Sequence, residues 1–505
     1  MDRRRFLRPR ATDDAQALPP AEPPPYAGGL APFAPAASAP WDARRAAHLV
    51  RRTGFGLDAS AVDQHVQTTP ADAVAGTVDA ALAAGTPPRP YWADIPRPPS
   101  SASEAEKEAY EQANREGLID SRESVVREAL GLRHPGSPLR ERLAMLWHSV
   151  VPVSSVETGN RGHRNYEYWY LLRRHALGRY DELIHEIGRT PSMLKYLDGD
   201  QNRVGNPNEN FARELLELFT MGITGPDGSP NYTQQDIGEL ARALTGWTAP
   251  NTQLTSVLNP NRFDAGEKTV LGVTGALDYD GAMALIFSAR RTAVAHYVAR
   301  RLYREFVHDI PNEEVVEELA GVLDGADFAI EPAVRALLGS AHFFSDGVLA
   351  AKIKSPFEHV VGLLRTTGAA DPDALVGRVL RQSRDAGQRP FDPPNVSGWA
   401  VGRSWLDTST LPTRWLTSDD VISRGSIAQD FALSLPNPFD PYLLVDDLAD
   451  RMISVPVPEP TRTEAVEILL AGIPDYEWNP KASTAPARIR ATLQFLARLP
   501  EYQLL

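Results

Sequence analysis

The segment from Gly205 to Phe219 is where residue types and spacing point most directly at chemistry. Asn208 suits a helix N-cap, and Phe211, Leu215, Leu218 and Phe219 then recur at helical intervals as an apolar stripe. At about 100° per residue, Glu209, Asn210, Arg213, Glu214 and Glu217 gather on the other side, with Arg213 one turn from both Glu209 and Glu217. Carboxylates grouped in this way can hold a divalent metal or serve as general acid and base, with Arg213 tuning their proton affinity. The same spacing also suits an Arg–Glu lattice that secures a helix end, because acidic groups near a helix N-terminus are favoured by the macrodipole. A surface ion pair contributes only about 0 to 1 kcal/mol, so this density of polar groups exceeds what one helix needs. The face is therefore expected to wall a pocket, shared with His148 and with Asp236 or Glu239 of a helix from Thr233 to Thr245.

His148 lies on a helix whose apolar stripe is Leu139, Leu143, Leu146 and Val150, and it points to the opposite side with Glu141. A lone histidine there is structural or solvated unless that face meets the 209–217 helix, where imidazole and carboxylates would form a mixed nitrogen and oxygen metal site. His163, His175, His185 and His296 have no paired spacing such as His-x-x-x-His, which gives little support to a dedicated zinc site. Lys352 and Lys354 precede Ser355, whose capping box with Glu358 opens a helix. They are either solvated or placed to meet an anionic ligand at that helix N-terminus. Asn395, Trp399 and Trp405 fall in the irregular stretch from Gln388 to Arg414, where tryptophans stack on sugar rings or anchor the loop to the core. Gly222 to Gly228 lacks the Gly-Lys-Ser/Thr ending of a phosphate loop, and no Gly-x-Ser-x-Gly elbow occurs.

Helices must position these groups. Ser137-Pro138, Thr190-Pro191 and Ser355-Pro356 each set a capping hydroxyl before a proline at the first helical position. Val294, Val298, Leu302 and Phe306 recur at i, i+4 through Arg291 to Val307, and helical spacing returns after Thr417, around Glu464 and from Ala485 to Leu499. Alternation typical of strands is scarce, with Lys268 to Val273 and Ser454 to Val457 the best candidates. The charged run Ser103 to Arg133 reads as a solvated surface helix. The expected fold is mainly α, a large bundle-like body of many helices with at most a minor β-hairpin.

The 505 residues carry 42% hydrophobic and 23% charged side chains, which excludes global disorder and leaves ample material for a core. A formal charge of −13 repels phosphate backbones, so nucleic acid is not an expected partner. With no cysteine there are no disulfides and no thiolate chemistry. No apolar run reaches the roughly 20 residues needed to span a bilayer. Residues 1–40 read as a flexible Pro-rich arm, and residues 41–505 as the body, with a small helical unit at 41–86, a core at 137–415 and a C-terminal helical part at 416–505. The start Met1 to Leu7 resembles a twin-arginine export signal without the apolar segment that should follow, so it is a degenerate signal or a merely basic terminus.

Several blocks together resemble the bacterial family catalogued as domain of unknown function 1800. They are His48 to Gly56, Leu146 to His148, Asn208 to Gly222, Tyr232 to Trp247, Arg300 to Val307, Lys352 to Glu358, Pro393 to Trp399 and Pro500 to Gln503, and Asn208 to Leu215 is the most diagnostic. The resemblance implies a helical protein, commonly exported, whose gene neighbours a protein of unknown-function family 1501, similar to sulfatases and alkaline phosphatases. It implies no established reaction. Two departures stand out: Val150 or Val151 replaces a second histidine after Trp147-His148, and Phe263-Asp264 replaces a His-Asp pair. Both weaken a histidine-based metal site and leave the carboxylate and arginine cluster intact.

Two functions are consistent with these features. One is an envelope-associated enzyme acting on a cell-surface polymer, with Glu209, Glu214, Glu217, Arg213 and His148 as catalytic groups or carboxylate ligands of a divalent metal, and Asn208, Asn210, Asp236, Lys354, Asn395 and Trp399 as binding groups. The other is a non-catalytic binding or assembly protein working beside the sulfatase-like partner. If the basic start is a working export signal, replacing Arg3 and Arg4 with Lys leaves the protein in the cytoplasm, as cell fractionation would show.

Overall fold

The computed structural model describes residues 22–132, 137–369 and 371–505. The twin-arginine-like start lies outside the described residues. The fold is mainly α: 21 helices, 57% of the chain helical, and two small antiparallel two-stranded sheets among the described residues.

Local chemistry accounts for many helix starts. Ser103 with Glu106, Thr233 with Asp236 and Ser355 with Glu358 form reciprocal capping boxes, each satisfying two orphan donors. Thr190 caps Pro191–Tyr196 through the Met193 N–H. Ser137 departs from the pattern, because its hydroxyl makes no capping bond to the Pro138–Val150 helix. Burial of that helix on every side holds it instead.

The Pro138–Val150 helix lies in the middle of the body. Its apolar stripe Leu139, Leu143, Leu146 and Val150 is buried, but so are Glu141, Arg142, Trp147 and His148. The side read from the sequence as solvated is covered by the Gly162–Arg174 helix, which brings Arg173 onto Glu141 in a two-pronged ion pair of 2.8 and 2.6 Å. The Glu104–Leu130 helix also differs from its expectation as a solvated rod. It buries Tyr110, Ala113, Gly117, Val125, Val126 and Glu128, and the backbones of Gly117 and Gly162 touch so closely that a Cβ on Gly162 would collide with Gly117. Small and apolar residues spaced among the charges make this contact face, which a count of charges conceals.

The hairpin Lys268–Val270 with Val273–Gly275 forms where alternation suggested it. A second pair, Trp247–Thr248 with Val257–Leu258, was not foreseen, and Ser454 to Val457 forms no strand. Residues 22–40 are tied to the body despite their proline content. Glu318 accepts from the Tyr26 hydroxyl and the Leu30 N–H at 2.7 Å each, the Phe33 N–H donates to Gly339 at 2.9 Å, and the Phe33 ring packs on Phe344.

Glu128 and Glu141 share the single guanidinium of Arg173, and all three are buried. Trp169 and Tyr170 also donate to Glu128, yet burial and the neighbouring Glu141 carboxylate outweigh these donors and raise its pKa above the usual 4.5. Above that value the unfolded chain has released this proton while the folded chain keeps it, so the group subtracts stability as pH rises through its elevated folded value. Relative to the parent, Glu128→Gln therefore gains stability as pH rises from about 4.5 toward 8, read from urea melts at several pH values.

A candidate cleft of carboxylates and arginines

Asn208 caps the diagnostic helix as expected, accepting from the Asn210 N–H at 3.0 Å and donating its amide to the Asp198 carbonyl at 3.1 Å. The Glu209–Glu214 helix then widens into a π-helical turn over Leu215–Thr220, closed by the Met221 N–H on the Leu216 carbonyl and by the Thr220 hydroxyl on the Leu215 carbonyl. Such turns are rare and frequent at functional sites.

The polar face itself lies toward solvent. Arg213 bridges Glu209 at 3.2 Å and Gln234 at 3.1 Å, with the two charged side chains 39% and 44% exposed. Glu217 accepts from the Tyr232 hydroxyl at 3.3 Å. Glu214 is half-buried, and burial followed by the charge of Glu217 raises its pKa against the pull of Arg213. Asp236 spends both oxygens on structure, one closing the Thr233 cap and the other accepting from Leu271 in the hairpin. Glu239 accepts from both the Thr269 N–H and Arg242 through its Oε2.

His148 does not join this face. It donates through Nδ1 to the Tyr168 hydroxyl at 2.7 Å, Tyr168 passes its own proton to the Val151 carbonyl, and Nε2 accepts from the Phe391 N–H at 2.9 Å. Both ring nitrogens are satisfied in the neutral form, and burial lowers the pKa to about 3. His148 is a clamp for the irregular loop after Gln388. Among the described residues, no three His, Asp or Glu side chains come together closely enough to hold a metal ion.

Ionisable groups converge instead in an open-mouthed cleft. Arg142 comes from the 138–150 helix, Arg301, Arg304 and Glu305 from the Arg291–Phe306 helix and Asp309 from just beyond it. Lys352, Ser355 and Glu358 come from the start of the Pro356–Thr367 helix, and Trp399, Gly402 and Trp405 from the irregular loop. Five of the blocks that carry the family resemblance meet here, contributing Phe55, Leu146, Arg301, Lys352 and Trp399 among others.

At the back of the cleft, Arg142 donates to the Gly54 carbonyl at 2.7 Å, pairs with Glu305 at 2.7 Å and bonds Glu358. Burial opposes the Glu358 charge, but Arg142, Lys352 and the Ser355 cap outweigh it and hold the pKa at about 2. Lys352 donates to the Glu305 carbonyl at 2.7 Å and carboxylate at 3.2 Å. Behind them Arg52 is fully buried, with the Val348 carbonyl its only hydrogen-bond acceptor among the described residues, and burial followed by Arg142 lowers its pKa to about 9.

Two kinds of group are left unspent. Arg304 has no hydrogen bond or ion pair to a described residue, and Arg301 bonds only the Tyr297 hydroxyl. Asp309 receives no hydrogen bond from a described residue either, and burial raises its pKa despite Lys352, His308 and Arg52 nearby. Its carboxylate lies against Gly402, where a Cβ would stand 2.5 Å from Oδ2 and the backbone φ is +59°, so that position requires glycine.

Of the expected binding residues, Trp399 lines the cleft, with its ring against His148 and its indole N–H unpartnered. Asn395 shapes the loop by accepting from the Ser397 N–H. Lys354 lies beneath the cleft, bonding the Tyr502 carbonyl and stacking on its ring, while the neighbouring Lys352 faces the space. The helix N-terminus beside them is already closed by Ser355, Glu358 and Gln388. Sequence reasoning did not single out Arg142, Arg301, Arg304 or Asp309. The available signal was two arginines three residues apart in the Arg300 to Val307 block, followed at its end by an aspartate.

Fold and cleft together define a mainly α-helical protein with a carboxylate–arginine cleft built from its helix ends and one long loop. Residues 48–504 match the family described as Protein of unknown function (DUF1800), and the chain belongs to that family. No curated protein and no solved structure matches it.

The two clusters should respond differently to substitution. Arg142→Ala strands Glu305 and Glu358 and is expected to cost about 3 to 5 kcal/mol. Glu209→Gln, on the exposed lattice, should change stability by no more than about 0.5 kcal/mol, and denaturant unfolding of both variants checks the contrast.

Proposed function

We propose that the cleft is the working site of an envelope-associated enzyme that acts on a cell-surface polymer. The observation that carries this reading is Asp309, a partly buried carboxyl with no hydrogen-bond partner among the described residues, in a cleft that also holds Arg301 and Arg304, neither of which is ion-paired to a described residue. A carboxyl whose pKa is raised by burial keeps its proton closer to neutral pH and can give it to a leaving oxygen, while the arginines hold anionic groups of the substrate. An open mouth suits a segment of a longer chain.

The second reading, a non-catalytic binding or assembly protein beside a sulfatase-like partner, draws on the pairing of Glu305 and Glu358. Both are neutralised by Arg142 and Lys352, which leaves one free carboxyl where acid–base hydrolysis commonly employs two. The two readings separate on turnover. Purified protein is incubated with isolated envelope polymers, and release of soluble fragments is measured for the parent and Asp309→Asn. The enzyme reading expects release by the parent and a loss of about a hundredfold or more in the variant. Retained polymer binding with no release by the parent favours the binding protein, and equal release by both proteins removes Asp309 from the chemistry.

A further inference from the structure

A second pocket lies away from the cleft and shares none of its lining residues. Its walls are the loop Arg97 to Ser100, Lys107 and Tyr110 of the 104–130 helix, and Asn251 with Thr252. Directly behind Tyr110 and Asn251 are two guanidinium groups, Arg161 at 9% exposure and Arg164 at 2%. Neither has a carboxylate partner within ion-pair distance among the described residues. Arg161 donates to the Tyr110 hydroxyl and lies over its ring, and Arg164 donates to the Thr158 carbonyl at 2.6 Å and to Asn251 Oδ1 at 3.1 Å. The Nε atoms of both arginines and Nε2 of the buried His163 beside them have no hydrogen-bond partner among the described residues. The Gly162–Arg174 helix starts at this point, its first N–H held by Asn114 Oδ1 at 2.9 Å, and adds the positive end of its dipole.

Buried cations are ordinarily paired, and leaving two unpaired beside a pocket costs stability. The hydrogen-bond directions show how their charge reaches the pocket. Because the Tyr110 oxygen accepts from Arg161, its own proton is free to be donated. Asn251 is likewise held by its carbonyl oxygen, and its amide nitrogen makes no hydrogen bond to a described residue. Arg97 has no ion-pair partner among the described residues, and Lys107 pairs only with the exposed Glu104. Glu111 is the one acidic group in the lining. In a chain with net charge −13, this is a local reversal of sign.

We propose that this pocket binds an oxyanion, a phosphate, sulfate or carboxylate group, with Arg97, Lys107, Tyr110 and Asn251 as donors and Arg161 and Arg164 as the fixed positive charge behind them. The anion supplies the countercharge that the two buried arginines lack. It is either a free ion or a group borne on a polyanionic chain, and the two sources differ in what else the surface must accommodate.

Isothermal titration of the full chain tests this, with inorganic phosphate and sulfate in one arm and sulfated against neutral dextran in the other. Saturable binding is expected in at least one arm, about tenfold weaker in Arg97→Gln/Lys107→Gln, and weakened in Tyr110→Phe by loss of one charge-assisted hydrogen bond. Arg97 is exposed and Lys107 half-buried at the surface, so that variant keeps its fold. Binding of inorganic ions assigns the pocket to a free anion, and binding of sulfated dextran alone assigns it to a chain. Absence of saturable binding in both arms overturns the proposal, as does equal affinity in the Arg97→Gln/Lys107→Gln variant.

Discussion

Arg142 is the contact on which the rest of the architecture depends. Its guanidinium, 1% exposed, reaches the Gly54 carbonyl at the end of the Ala43–Thr53 helix, Glu305 on the 291–306 helix and Glu358 in the first turn of the 356–367 helix. Removing such a charge from water costs several kcal/mol, and the cost is offset only because two carboxylates and a carbonyl meet it at one point. Four segments distant in sequence are therefore held in one arrangement. Glu358 divides its oxygens, Oε1 to Arg142 and Oε2 to the Ser355 N–H, so a local helix cap and a long-range tie share one carboxylate. Lysine could not replace Arg142, because a point charge lacks the planar fork that these directions require.

The same principle recurs through the interior. Arg52, Arg142, Arg164, Arg173 and Arg414 rank among the largest fully buried side chains of an otherwise acidic protein. Arg173 is met by two carboxylates, whereas Arg414 is met by the Lys354 carbonyl and the Gln503 amide. Arg164 has neutral acceptors alone. Neutral acceptors satisfy donors without cancelling charge, so a positive field remains where they serve. That field reaches the surface at the cleft, through Arg301 and Arg304, and at the pocket in front of Tyr110. An acidic exterior with cationic recesses favours anionic groups at those recesses over anions elsewhere on the surface.

Separate contacts pin the irregular loop after Gln388 to the body. The Phe391 N–H bonds His148, and Gly398, at φ +80°, packs against the Ser149 carbonyl where any Cβ would collide. The loop in turn supplies Trp399, Gly402 and Trp405 to the cleft wall. His148 thus contributes to the site by holding its wall, and its neutral, doubly bonded ring could not do so if it titrated near neutral pH.

What the sequence determined by itself was local: the helical class, the capping box at Ser355, the helix from Thr233, the Asn208 cap, the hairpin at Lys268 to Val273 and the family blocks. Each depends on neighbours within a few residues, and periodicity and capping report such neighbours directly. Which polar residues would be buried was not local. Glu141 and His148 looked solvated on a helical wheel, and Glu209 to Glu217 looked like a pocket wall, because a wheel shows which side a residue takes and not what covers that side. Only the tertiary structure decided that the 162–174 helix and Phe391 cover the first face, that solvent covers much of the second, and that Arg142, Arg304 and Asp309 meet in a cleft. Those outcomes depend on contacts between residues from 20 to 243 positions apart, beyond the reach of a helical wheel, where the desolvation of charge is settled by the partners that packing brings.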